Sequence, residues 1–110
     1  MLDTTRLTAA VDRFADRLRA APQSRLQRGA AAEGLALARE LSVTAQRLEA
    51  GDDGAHEPPR IMPDAGVFVV ADQLTVAAGD LAEALRTAPS VAELDEAVRA
   101  VERAVARAKL

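Results

Sequence analysis

Apolar residues recur along this chain every three or four positions, and four separate stretches keep that rhythm. In the first, Leu7, Ala10, Val11, Phe14, Leu18 and Ala21 fall on one narrow face at about 100° per residue. The second carries Ala30, Gly34, Leu37, Leu41, Ala45 and Leu48. The third carries Val67, Val70, Ala71, Leu74, Ala78, Leu81 and Leu85, and the fourth Val91, Leu94, Ala97, Val98, Val101, Val105 and Ala108. This spacing predicts four amphipathic helices, over about residues 4–21, 24–50, 65–88 and 91–109. The run at 67–70 is β-branched and aromatic, but no partner strand exists elsewhere, so helix is expected there too.

Local signals mark the ends. Asp3 is a good N-cap, because its carboxylate can accept a backbone N–H of the first turn. Leu2 and Leu7 sit at hydrophobic-staple positions, and Pro22 stops the helix by withholding an N–H. Ser24 with Gln27, and Ser90 with Glu93, have the capping-box form. Asp64 is the expected cap of the third helix, Gly51 terminates the second and Pro89 the third. Gly29 and Gly34 each cost about 1 kcal/mol inside a helix. Gly34 lies on the apolar stripe, where close approach of another backbone would repay it. Gly29 lies off the stripe and has no such reason.

Residues 51–66 hold three glycines and three prolines and predict a loop, long for so small a domain. The short links at Pro22 and Pro89 predict two antiparallel hairpins, helix one with two and three with four. The fold expected is therefore all-α, a four-helix bundle in a single domain over residues 1–110. Up-down order is the simplest closure, and an open arrangement completed by a second chain is the alternative. In adjacent hairpin helices Arg13 would meet Glu33 and Arg6 would meet Glu40. Residues 7–22 also match residues 74–89 at eight of 16 positions, which suggests either a duplicated hairpin or two alanine-rich helices alike by chance.

Composition sharpens the picture. There are 26 Ala, 13 Leu and 10 Val against two Phe, with no Tyr or Trp. Such a core buries little area per residue, so close helix contacts or a partner subunit are expected to supplement it. The net charge is −3, without a polybasic run, which argues against nucleic acid as a partner. No stretch approaches the ~20 apolar residues of a membrane span, and the N-terminus has no signal-peptide pattern. The absence of cysteine removes disulfides and thiolate chemistry and suits a reducing cytoplasm. Thirteen of 14 basic residues are Arg, in keeping with a GC-rich bacterial gene.

Candidate chemistry is sparse. His56 is the only histidine, in the loop beside Glu57, without the second histidine or cysteine that a metal site needs. Asp52-Asp53-Gly54 is too short for a calcium loop. Asp72, Asp80 and Glu83 share the polar side of helix three, and Asp12 and Asp16 that of helix one. They predict solvated faces, because bundle metal sites use inward Glu-x-x-His pairs that are missing here. No catalytic residue, metal or cofactor is expected.

Helix three differs from the others in being apolar on its back. Val69 and Val76 lie almost opposite its core stripe, with Phe68 on the flank. Ile61 and Met62 form an apolar pair between prolines in an otherwise acidic loop. Phe68, Val69, Val76, Ile61 and Met62 are therefore the expected contacts of a partner protein, either a second copy or another chain; the alternative is that the loop folds back over helix three, with Ile61 and Met62 anchoring it to its own bundle. The function expected is a non-enzymatic helical interaction module. The alternative is a ligand-binding or enzymatic bundle with a pocket between the hairpins.

Overall fold

The computed structural model describes residues 2–51 and 57–110, and among these it contains helices and no strand. Four long helices form an all-α bundle: α1 Thr5–Ala20, α2 Ala31–Ala50, α3 Val70–Thr87 and α4 Val91–Ala108. Their inward residues are those the periodicity selects. Leu7, Val11, Phe14, Leu41, Leu74, Leu81, Leu85 and Val101 are the largest fully buried side chains. Val91 is the exception in the fourth stripe and is 63% exposed.

One helix start follows its sequence signal and another falls one residue late. Thr4, not Asp3, is the N-cap of α1; the Asp3 carboxylate accepts the Thr5 N–H at 2.9 Å, and the Thr5 side chain and then this N–H hold that carboxyl below its usual range. The Ser90 hydroxyl accepts the Glu93 N–H at 3.1 Å. Two starts depart from the signals. Pro22, not Ser24, precedes the first turn, Gln23–Arg25. The chain then widens into a π turn over Leu26–Ala30 before α2, with Gly29 at φ 150°. Gly29 thus serves a backbone conformation that a side chain would strain. Helix α3 begins at Val70 rather than near 65, and Asp64 does not cap it. The Asp64 carboxylate instead accepts the Gly66 N–H at 3.0 Å, and Gly66 has φ 100°. That left-handed turn stops helical geometry from extending back through 66–69.

The pairing of helices overturns the two-hairpin expectation. The close pairs are α2 with α3, α1 with α3, α2 with α4 and α1 with α4. Chain neighbours α1 and α2, and likewise α3 and α4, therefore stand diagonally across the bundle. Directions follow from the cross-links. Arg6 reaches Asp95 at 3.5 Å and Arg17 donates to the Leu110 carbonyl, so α1 and α4 run parallel. Arg19 pairs with Asp72 at 2.9 Å, so α1 and α3 are antiparallel. Arg47 pairs with Glu93 at 2.9 Å, so α2 and α4 are antiparallel as well. A Cβ placed on Gly34, near the start of α2, would sit 2.6 Å from Val70 and 3.5 Å from Leu74, near the start of α3. Hence α2 and α3 are parallel, and the order is up-down-down-up instead of up-down-up-down.

The long loop is a consequence of this topology. A parallel neighbour must be entered at the same end, so the chain leaving α2 has to travel back along it. The 20 residues of α2 span about 30 Å at 1.5 Å per residue, a return that no short turn can make. Gly34 explains why these two helices lie so close: glycine there leaves room for Val70, as the stripe position predicts.

Candidate functional site

Residues 57–66 form an extended strap along the flank of α2. The Gln46 side-chain amide clamps Arg60 twice, donating to its carbonyl at 2.7 Å and accepting its N–H at 2.8 Å. A second Gln46 hydrogen reaches the hydroxyl of Ser42, the one buried polar residue among those described, at 3.2 Å. Two turns nearer the start of α2, the Arg39 Nε donates to the Met62 carbonyl at 2.8 Å. From the other side, the Gln73 Nε2 of α3 donates to the Pro63 carbonyl at 2.9 Å. Met62 and Val67 pack on the core and anchor the strap over the seam between α2 and α3. Prolines at 58, 59 and 63 suit this position, since they bring no N–H that would need a partner.

The five residues expected to meet a partner divide in two. Met62 and Val69 are half-buried, and Met62 belongs to the anchor. Ile61, Phe68 and Val76 are 56%, 71% and 56% exposed. All three fall between residues 61 and 76. Ile61 precedes the Met62 anchor, Phe68 lies in the turn entering α3, and Val76 lies one turn beyond Gln73, which holds the strap. Among the described residues, three of the four exposed large apolar side chains therefore lie on the strap, in the turn after it and in the early part of α3.

The neighbouring charges are mixed, with Arg60 next to Ile61 on the strap and Arg19 beside Asp72. Asp64 lies on the strap, and Asp72 and Asp80 flank Val76 by four residues on either side, all three exposed. Asp72 is partnered by Arg19. Asp80 joins none of the ion pairs formed between described residues. Elsewhere the charges bind one another. Arg103 and then Arg99 hold the Glu96 carboxyl below its usual range, at 2.8 and 3.2 Å. The Glu93 carboxylate raises the Arg47 pKa in a two-bond contact at 2.9 and 3.2 Å. The expected bridges Arg13–Glu33 and Arg6–Glu40 do not form, because α1 and α2 are diagonal; Arg6 meets Asp95 instead. Arg99 pairs with Glu96, three residues before it.

Two open grooves flank the strap. One, of about 480 Å³, lies where the strap leaves α2 and is lined by Val43, Gln46, Arg47 and Arg60. The other, of about 440 Å³, has an apolar floor of Leu26, Leu35, Val67 and Val70 beside the π turn. Several of their polar side chains are committed within the chain: Gln46 to Arg60, Arg47 to Glu93, Arg39 to Met62 and Asp64 to Gly66. His56, Asp52 and Asp53 lie outside the described residues. Among the described residues no group of three His, Cys, Asp or Glu side chains could hold a metal ion. No described helix is long and apolar enough to cross a membrane.

The sequence alone did not mark Gln46, Arg39 and Gln73 as the residues that place the strap. Their partners are backbone carbonyls 10 to 23 positions away, and such bonds leave no local pattern. The only signal was their position, beside an apolar stripe rather than on it. No known family model matches the chain, and neither a curated protein nor a solved structure matches it significantly.

Proposed function

We propose that this chain is a non-enzymatic protein-interaction module whose working face is the strap together with the outer side of α3. The observation that carries this reading is that Ile61, Phe68 and Val76, three of the four exposed large apolar residues among those described, fall between residues 61 and 76, in a molecule whose other large apolar residues are mostly buried. Exposed apolar residues are ordinary when scattered and informative when grouped. The filled interior and the committed side chains around both grooves support a surface role over a pocket role. In this reading the partner is protein, and the module works in the cytoplasm, in keeping with its cysteine-free sequence.

A photo-crosslinking residue placed at Val76 tests the proposal in extracts of cells that express the chain. It should yield a discrete adduct that unlabelled protein competes away and Val76→Asp protein does not. The same probe at Glu102, on the outer side of α4, should yield none. Equal labelling from both positions, or no competition, would remove the assignment of this face.

A further inference from the structure

Few contacts hold the strap to the bundle, and its residues take no part in the buried core. The buried members of that core lie between Leu7 and Ala45 or between Val70 and Ala108. Of residues 57–66 only Met62 is not exposed. The rest of the hold is four hydrogen bonds to the main chain of the strap: two with the Gln46 amide at Arg60, one from Arg39 at Met62 and one from Gln73 at Pro63. Three of the four are exposed, where a hydrogen bond gains little over one to water. The Gln73 bond is offset further. While its Nε2 holds Pro63, its Oε1 is buried without a hydrogen-bond partner among the described residues.

The prolines explain why so lightly held a segment is closed at all. Pro58, Pro59 and Pro63 restrict the backbone of a detached strap, so opening recovers less chain entropy than it would for an ordinary sequence. Few contacts are thus set against a small entropic gain, and the two states lie close in free energy. At the far end, Gly66 has φ 100° and open space where a Cβ would stand, and the chain is anchored again just beyond it, at Val67. We infer that residues 57–65 form a latch. They lift from α2 and α3 as one unit, turning at Gly66, while the four helices stay folded. Opening exposes Met62 beside Ile61 and releases the side chains of Arg39, Gln46 and Gln73. A molecule that binds either surface would hold the latch open. The latch does not depend on the partner proposed above.

Native-state hydrogen exchange tests this through the Arg60 N–H, which donates to the Gln46 side chain at 2.8 Å. It should exchange at least about a hundredfold faster than the slowest amides of α2 and α3. Low urea should leave its rate unchanged and accelerate theirs, because the latch exposes little surface on opening and the helices expose much on unfolding. Two substitutions leave the bonds between Arg60 and Gln46 in place and show whether the strap moves as a unit. Met62→Ala, and Arg39→Met, which keeps an apolar stem, should each speed Arg60 exchange about tenfold. Circular dichroism confirms that the helices are intact in each variant. An Arg60 rate and urea dependence equal to those of the helix amides would overturn the latch, since the strap would then leave only on global unfolding. Acceleration by Gln46→Ala but by neither Met62→Ala nor Arg39→Met would overturn it as well, because the strap would then fray bond by bond.

Discussion

Helices α1 and α3 carry matched sequences 67 residues apart, yet the molecule uses them differently. Inside they agree. Leu7 and Leu74, Phe14 and Leu81, and Leu18 and Leu85 are all buried to within 3% exposure. Smaller details repeat too. Thr8 and Thr75 each donate to the carbonyl four residues back, and Asp16–Arg19 recurs as Glu83–Arg86. Depth is where they part. Exposed Arg17 of α1 corresponds to buried Ala84 of α3, because α3 lies against both α1 and α2 at close range. The outer sides part further: Ala9, Asp12 and Arg13 of α1 stand where α3 has Val76, Gly79 and Asp80. A shared inner pattern is what a common core demands, and burial leaves the outer side free for other uses. The difference between the outer sides is therefore where function is to be sought.

The largest test of the comparison lies in the matched core. Phe14→Ala should cost about 3–5 kcal/mol and Leu81→Ala about 2–5 kcal/mol in urea unfolding, since each empties a fully buried site. A harmless substitution at either would mean that equal burial does not carry equal energy in the two helices.

The glycines sharpen the contrast between the inner and outer sides. Gly34→Ala should destabilise by about 1–3 kcal/mol despite the better helix former, because its Cβ would meet the stiff Val70 side chain at 2.6 Å. Gly79→Ala should stabilise by about 0.5–1 kcal/mol, having open space and helical backbone. Thermal melts of both proteins should therefore shift in opposite directions. A shift in the same direction would contradict the close α2–α3 contact.

The two serine signals allow a smaller test. Ser90→Ala should cost about 1 kcal/mol through the lost bond to Glu93. Ser24→Ala should stay within about 0.5 kcal/mol, because Pro22 holds the start position and no cap bond is lost. Comparable losses would imply a cap that the structure does not contain.

Acidification should give the smallest effect. The folded chain depresses the Glu96 carboxyl through Arg103 and then Arg99, and the Asp3 carboxyl through Thr5. A depressed carboxyl adds stability above its unfolded pKa, and that stability is lost as pH falls through the folded value. Glu96→Gln should therefore melt slightly below the parent at neutral pH and converge with it in acid. Both groups are exposed, so the gap should be small and should shrink with salt. A gap that is constant from neutral to acidic pH would show that the ion pairs of Glu96 do not contribute.

Some of this structure was legible in the chain because it is governed by neighbours three or four residues apart. The helices, their inward faces, the Ser90 cap, the need for glycine at 34 and the unusual outer side of α3 all follow from local periodicity and local bonds. Helix pairing did not follow. A helix of alanine, leucine and valine fits several neighbours nearly equally well, and the choice among them depends on contacts between distant residues such as Gly34 and Val70. Short links suggested adjacent hairpins, but tertiary packing set those helices across a diagonal and made α2 and α3 parallel. That choice required the returning strap, which Gln73 of α3 holds at Pro63. The sequence determined which residues turn inward, and only the assembled bundle decided which helices those inward faces meet.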